Sequence, residues 1–166
     1  AFMACWKEGG YPDAVTGWYI WNFDIPYLIN RITQILGEKT AKDMSPWKRI
    51  DKRFVSLKGR RSETICWSGI QTLDYIELYR KLTFVEREDY KLNTIANVEL
   101  DEQKLDYSEY NNLNELYRND YQKFIEYNIR DVELVDKLDD KLQLIELIML
   151  QAYYAKVNYT DIYSQT

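Results

Sequence analysis

The chain has 166 residues, of which 46% are hydrophobic and 30% are charged, a length and composition that predict one globular domain with a substantial core. It contains no histidine, which excludes Ser/His and Cys/His catalysis and every histidine-ligated metal site. A bound metal would need carboxylate and other oxygen ligands, and this donor set favours Mg²⁺ or Mn²⁺ over zinc.

The charge is unevenly distributed along the sequence. The net charge is −5, but residues 48–61 carry seven basic side chains and a single acid, so this segment has a charge of +6 and the remainder −11. Such a basic island can bind a polyanion, although a solvated surface hairpin explains it equally well. Cys5 and Cys66 have no ligand-like spacing and predict no disulfide framework.

No stretch of the sequence is typical of a membrane span or a signal peptide. A spanning helix needs about 18 consecutive apolar residues, and a signal peptide begins with a basic segment followed by an apolar one. The sequence therefore predicts no membrane partner and a reducing, cytosolic location.

The first third of the sequence predicts a helix, a strand and a second helix. Residues 1–10 resemble the last turns of a helix that ends at a glycine pair, so we expect the sequence to begin inside a domain. Residues 14–20 are apolar and predict a buried strand. Residues 25–36 have apolar side chains at helical spacing, with Pro26 in the first turn, which places Asp24 at the N-cap position.

The middle of the sequence predicts a β-hairpin over residues 54–67, with a basic turn at 58–61. Residues 70–82 continue as a strand or helix, with one more strand expected near 68–73, and residues 86–120 are polar, which indicates short helices and loops. Residues 120–155 predict one long helix, because apolar side chains recur every three or four residues. The polar residues 156–166 are expected to begin a linker.

Two aspartates 107 residues apart, Asp24 and Asp131, are candidates for a metal site. Each has a simpler explanation: Asp24 as a helix cap, and Asp131 as a solvated residue or a partner of Arg130 or Lys137. Tyr127 lies one helical turn before Asp131 and could equally be a core residue.

Several motifs together resemble the exonuclease domain of family B DNA polymerases, most closely those of T-even-type bacteriophages. Residues 16–32 are similar to the second exonuclease motif, with Phe23-Asp24-Ile25-Pro26-Tyr27 at its centre, and Tyr127-(x)3-Asp131 is similar to the third. Further segments follow in the same order and spacing over nearly the whole chain. They are Leu73-Asp74-Tyr75-Ile76-Glu77-Leu78-Tyr79, Tyr90-Lys91-Leu92, Lys104-Leu105-Asp106-Tyr107 and Tyr153-Tyr154-Ala155-Lys156.

The resemblance implies a partial ribonuclease-H-like α/β fold over residues 1–155 and a role in proofreading newly made DNA. It implies that Asp24 and Asp131 are two of four carboxylates that hold two Mg²⁺ or Mn²⁺ ions, in a protein of the phage-infected host cytoplasm. Tyr127 would orient the attacking water, Lys104 would lie close to the site, and Phe23 would pack near the unpaired 3′ end of DNA. The hairpin with Lys58, Arg60 and Arg61 would help to separate primer from template.

The sequence departs from the family pattern at two places. The first exonuclease motif, an Asp-x-Glu on an apolar strand, has no counterpart, and Tyr19 stands where the second motif usually has asparagine. We therefore expect the chain alone to be inactive, and we expect its exposed sheet edges and apolar surface either to contact the rest of a polymerase chain in a larger assembly or to cause self-association. The alternatives are a degenerate module that binds single-stranded DNA or acts as a scaffold, and a helical domain without a nucleic-acid role.

Overall fold

The computed structural model describes residues 2–57, 60–106 and 109–164, with side chains described outside 55–62, 160, 163 and 164. The strands of this part are β1 (Ala14–Gly17), β2 (Ile50–Leu57), β3 (Arg60–Trp67) and β4 (Gln71–Asp74). The helices are α1 (Phe2–Lys7), α2 (Asp24–Leu36), α3 (Glu38–Lys42), α4 (Tyr75–Leu82), α5 (Leu92–Leu100), α6 (Leu113–Asn119), α7 (Tyr121–Leu142), α8 (Leu144–Ala155) and α9 (Tyr159–Ser164). The chain is therefore a mixed α/β protein rich in helix, as the sequence predicts.

A parallel pair of strands brings distant parts of the chain to one edge. β1 pairs with β4 in the register Ala14↔Gln71 to Gly17↔Asp74. The Thr16 hydroxyl strengthens the pair by donating to the Leu73 carbonyl at 2.8 Å. Because the strands are parallel, their carboxyl ends coincide, and the turn after β1 meets the start of α4.

The predicted hairpin is present but begins four residues earlier than expected. β2 and β3 are antiparallel from Ile50↔Trp67 to Leu57↔Arg60. Arg49 and Lys52 form ion pairs with Asp51 and Glu63, each at 2.7 Å, so part of the basic island is neutralised at the base of the hairpin. Lys58 and the side chains of Arg60 and Arg61 lie outside the described part of the structure.

Two apolar clusters form the core. One lies among β4, α4, α5, α7, α8 and α9 and includes Leu73, Tyr79, Ile95, Leu138 and Ile148. The other packs α2 and α3 against Trp67 and Ile70. α2 forms because Ile25, Ile29 and Ile32 fall on one face and are buried in this second cluster.

The prediction of one long helix over 120–155 is wrong. α7 ends at Leu142 and α8 begins at Leu144, because Gln143 adopts a left-handed backbone conformation with φ 51°. The Asp139 carboxylate accepts from the Ile145 N–H at 3.1 Å and so satisfies a donor at the start of α8. Both helices bury apolar residues in the same cluster, which is why the apolar spacing continues across the break.

The residues after α8 take part in the fold. α9 contacts β4, α4 and α8, and Ile162 is buried in the first cluster. Residues 159–164 are therefore helical and packed, and the linker predicted over 156–166 is wrong for them.

Apolar surface remains exposed, as expected. Trp47, Phe84 and Val132 expose most of their side chains. In the described part of the chain β1 pairs with no strand other than β4, while self-association itself stays a prediction. Within the same part, no helix is both long and apolar enough to cross a membrane.

Candidate functional site

The first side of the site is a turn between β1 and α2. The predicted strand over 14–20 ends at Gly17, and residues 18–23 form turns that lead into Asp24. The Asp74 carboxylate holds this turn, since Oδ1 accepts from the Tyr19 N–H at 2.9 Å and Oδ2 from the Trp21 N–H at 3.1 Å. The turn is also tied to β4 through the Trp21 indole, which donates to the Thr72 carbonyl at 3.1 Å.

Asp24 is the first helical residue of α2, and the N-cap prediction for it is wrong. The N-cap is Phe23, whose side chain makes no capping hydrogen bond. The carboxylate is therefore not consumed by capping. Partial burial raises the pKa of Asp24 above its ordinary value, and this effect exceeds the lowering effect of its own backbone N–H.

The second side of the site is one face of α7 together with Lys104 from the segment after α5. The Lys104 ammonium donates to Asp131 Oδ2 at 2.6 Å and to the Tyr127 hydroxyl at 3.2 Å, and it lies 5.2 Å from the centre of the Tyr127 ring. Burial lowers the pKa of Lys104, but the hydrogen bond and attraction to Asp131, with Tyr127 adding to them, raise it above its ordinary value. Lys104 is therefore a stable cation at neutral pH.

Asp131 has a different partner from the two that the sequence offered. Arg130 and Lys137 both bind Glu102, and Lys104 binds Asp131. The second oxygen, Asp131 Oδ1, is buried and has no hydrogen-bond partner among the described residues. A buried carboxylate oxygen without a donor is an acceptor available to a cation.

One cleft of about 1570 Å³ contains every predicted site residue outside the hairpin tip. Asp24 and Phe23 line it from the start of α2, while Lys104, Tyr127 and Asp131 line it from the other side. Asn22 also lines it, and its amide nitrogen is buried without a partner in the described residues. The structure thus brings together residues 107 positions apart in the sequence, and their catalytic roles remain predictions.

Similarity to known proteins now decides the family. A family profile described as "DNA polymerase family B, exonuclease domain" matches residues 1–95, more than half of the chain. The chain belongs to this family of exonuclease domains. The resemblance inferred from the motifs is therefore confirmed.

The relatives are DNA polymerases much longer than this domain. It is 39% identical to the DNA-directed DNA polymerase of Escherichia phage RB69 and 35% identical to that of Enterobacteria phage T4, in each case over 98% of this chain and 18% of the relative. It is 30% identical to the DNA polymerase delta catalytic subunit of Dictyostelium discoideum, over 90% of this chain and 13% of that protein. The chain thus spans under a fifth of the length of its phage relatives.

The residues of the cleft supply only part of the ligand set that a divalent metal site needs. Domains of this family generally depend on divalent metal ions. In the described residues, no group of three or more His, Cys, Asp or Glu is placed to hold a metal. The two cleft carboxylates nonetheless supply hard oxygen donors, and the unpartnered Asp131 Oδ1 is compatible with a cation.

Sequence reasoning gave no role to two residues of the exonuclease domain. Tyr27 stacks on Phe23 at 6.1 Å with the ring planes 7° apart, and both rings are more than half exposed. From the sequence, Asp74 is named only as part of a matching segment, whereas the structure shows it as a buried acid at the end of the strand Gln71–Asp74, where it needs internal hydrogen-bond partners.

Tyr19, which stands where the second motif usually has asparagine, has an unusual backbone conformation. Its φ is 69°, in the left-handed region that asparagine occupies more readily than an aromatic residue. The turn therefore keeps a conformation suited to asparagine.

Proposed function

We propose that this chain is part of the 3′–5′ proofreading exonuclease of a phage-like family B DNA polymerase, with a ribonuclease-H-like fold over residues 1–155. The observation that carries the proposal is the cleft shared by Asp24, Lys104, Tyr127 and Asp131. The substrate would be the 3′-terminal nucleotide of a single-stranded DNA end, and the rest of the polymerase chain would be the partner.

Asp24 and Asp131 would hold divalent ions, Mg²⁺ or Mn²⁺, in the cleft that both line. When bound, such ions activate a water molecule and stabilise the charge that develops at a phosphodiester. Asp24 has no capping role that would occupy its carboxylate, and Asp131 offers an unpartnered oxygen in the described structure. Two carboxylates are a small ligand set, so we propose that this chain alone is inactive and binds the ions weakly.

Lys104 and Tyr127 would act on the reacting phosphate from the side of the cleft that carries Asp131. The ammonium group bridges Asp131 and the Tyr127 hydroxyl, so it keeps both side chains in a fixed arrangement. The Tyr127 hydroxyl would orient the attacking water, and Lys104 would balance the negative charge of the phosphate.

Phe23 and Tyr27 would receive the unpaired end of the DNA. Stacked, exposed rings beside an acidic cleft are suited to unpaired bases, because every base presents an aromatic face. The basic hairpin, with Lys58, Arg60 and Arg61, would contact phosphates and keep primer and template apart.

The decisive experiment is a hybrid polymerase in which this chain replaces the segment of the T4 relative that aligns with it. The hybrid should extend primers and also release mononucleotides from 3′-labelled single-stranded DNA in Mn²⁺. Asp131→Ala should abolish the release and retain extension, whereas Asp140→Ala, which removes an exposed acid of the same helix, should change neither. A hybrid that extends primers without releasing nucleotides would contradict the proposal.

The second candidate is a module that binds single-stranded DNA without cleaving it. The absence of a three-ligand acidic group from the described residues favours it, as does Tyr19 in place of asparagine. The same hybrid separates the two functions. A binding module would bind the labelled strand through Phe23 and Tyr27 and leave its 3′ end intact.

A further inference from the structure

Asp74 is a fully buried carboxylate that no part of the proposed chemistry uses. It ends β4, exposes 0% of its surface, and is the N-cap residue of α4. Both of its oxygens face the turn after β1, where they accept the Tyr19 and Trp21 N–H groups at 2.9 and 3.1 Å. A buried charge bound to two backbone donors fixes the backbone that supplies them.

The turn that Asp74 holds is tightly built and does not follow from local preference. Tyr19 is left-handed, a conformation that is unfavourable for an aromatic residue. A Cβ on Gly17 would lie 2.5 Å from Ile20 Cγ2, so the chain folds back closely on itself. Hydrogen bonds from outside the turn are therefore needed to keep Tyr19 in place.

The turn is continuous with the first turn of α2. The Ile25 N–H donates to the Ile20 carbonyl at 3.1 Å, and the Tyr27 N–H donates to the Phe23 carbonyl at 2.9 Å. Asp24 lies between these two bonds. A shift of Tyr19 and Trp21 would consequently move the start of the helix and the carboxylate that projects from it.

We propose that Asp74 is a positioning residue: by holding the Tyr19 and Trp21 backbone it fixes the Asp24 carboxylate in the cleft. The inference rests on the proposed role of Asp24 as a metal ligand. Asp74, which lies 50 positions after Asp24 in the sequence, would thus orient that ligand.

The contact uses both oxygens of the Asp74 carboxyl group. The two N–H groups donate to different oxygens, Oδ1 and Oδ2, and an asparagine has a single acceptor oxygen, so one of the two N–H groups would lose its present acceptor. Burial raises the pKa of Asp74 to about 7, against the lowering effect of the Trp21, Tyr19 and Ile76 N–H groups, and the charge of Glu77 on α4 raises it further. The fold thus buries an ionisable carboxyl group at the point where two backbone donors converge.

The test compares Asp74→Asn with Glu77→Gln, a control that removes a nearby partly buried acid which does not contact the turn. Amide hydrogen exchange at Tyr19, Trp21 and Ile25 should accelerate at least about tenfold in Asp74→Asn alone. Mn²⁺ affinity, measured by electron paramagnetic resonance, should fall about tenfold in the same variant. Adding Tyr19→Asn, which favours the left-handed backbone, should restore part of both losses.

Each outcome decides the inference. Unchanged exchange in Asp74→Asn overturns it, and so does faster exchange with unchanged Mn²⁺ affinity. If Asp24→Asn does not alter Mn²⁺ binding in the parent chain, the proposed function fails. The ¹³C resonance of the Asp24 carboxylate then decides the positioning role. A shift of this resonance in Asp74→Asn supports the role, and an unchanged resonance overturns it. Asp74→Ser replaces the first variant if that variant does not fold.

Discussion

The ammonium group of Lys104 lies 2.6 Å from Asp131 Oδ2, while Oδ1 of the same carboxylate is buried without a hydrogen-bond partner in the described structure. The ion pair therefore provides a hydrogen-bond donor to only one of the two carboxylate oxygens. Because both side chains are about three-quarters buried, the pair is shielded from solvent more than an ordinary surface pair.

Lys104→Met should destabilise the protein, because it leaves the Asp131 charge half-desolvated with no cation beside it. We expect the free energy of unfolding in urea to fall by roughly 1–2 kcal/mol, less than for a fully buried pair because solvent still reaches both groups. Lys42→Met is the control, since Lys42 pairs with Glu38 at a well-exposed position on α3. Equal losses in the two variants would contradict the shielding argument.

Asp74 should give the protein a stability that decreases as the pH rises. Its pKa is about 7 in the folded chain, above the ordinary carboxylate value, so the folded state binds the proton more tightly than the unfolded state. The stabilisation is present near pH 4 and is lost as the pH rises through about 7. Relative to Asp74→Asn, the parent chain should lose about 2–3 kcal/mol between about pH 5 and pH 8.

The measurement is urea unfolding of both proteins at several pH values. Subtracting the variant's curve cancels the contributions of other groups, including Asp51 and Glu102, whose pKa values are lowered by their basic partners. Two parallel curves would show that Asp74 is ionised in the folded state throughout this range.

Gln143→Gly should stabilise the protein, because Gln143 has a φ of 51° where glycine has no steric penalty. The expected gain is about 0.5 kcal/mol, after the entropy that glycine adds to the unfolded chain is subtracted. Gln151→Gly, in the middle of α8, should instead cost about 1 kcal/mol. A loss at both positions would indicate a continuous helix over 120–155.

The sequence predicts those helices and strands that are determined by a short local pattern, such as apolar spacing or a turn. α2 follows from the spacing of Ile25, Ile29 and Ile32, and the hairpin follows from its turn. The break at Gln143 could not be predicted, because neither glycine nor proline marks it and the apolar spacing continues. The cap assigned to Asp24 was wrong because the turn that follows β1 is held by Asp74, which lies 50 residues after Asp24, and no local pattern reports that contact.

Glu102→Gln should loosen the segment that carries Lys104. Glu102 accepts from Lys137 Nζ at 2.9 Å and from the Arg130 guanidinium, and so fastens this segment to α7. We expect faster amide exchange at Lys104, with unchanged exchange at Leu134 in α7. Glu133→Gln removes the exposed, longer-range partner of Arg130 and should leave Lys104 unaffected. Increased exchange along all of α7 would indicate helix fraying.

Phe23→Ala should weaken the binding of single-stranded DNA if the Phe23–Tyr27 pair receives unpaired bases. Removing one stacking ring costs about 1–3 kcal/mol, so the dissociation constant for a short oligothymidine should rise about 5- to 150-fold. Phe84→Ala is the matched control, because Phe84 is 90% exposed and does not line the cleft. Fluorescence anisotropy of a 3′-labelled strand measures both. Equal effects of the two substitutions would show that exposed aromatic rings bind the strand non-specifically, and an unchanged constant for Phe23→Ala would remove the stacking role.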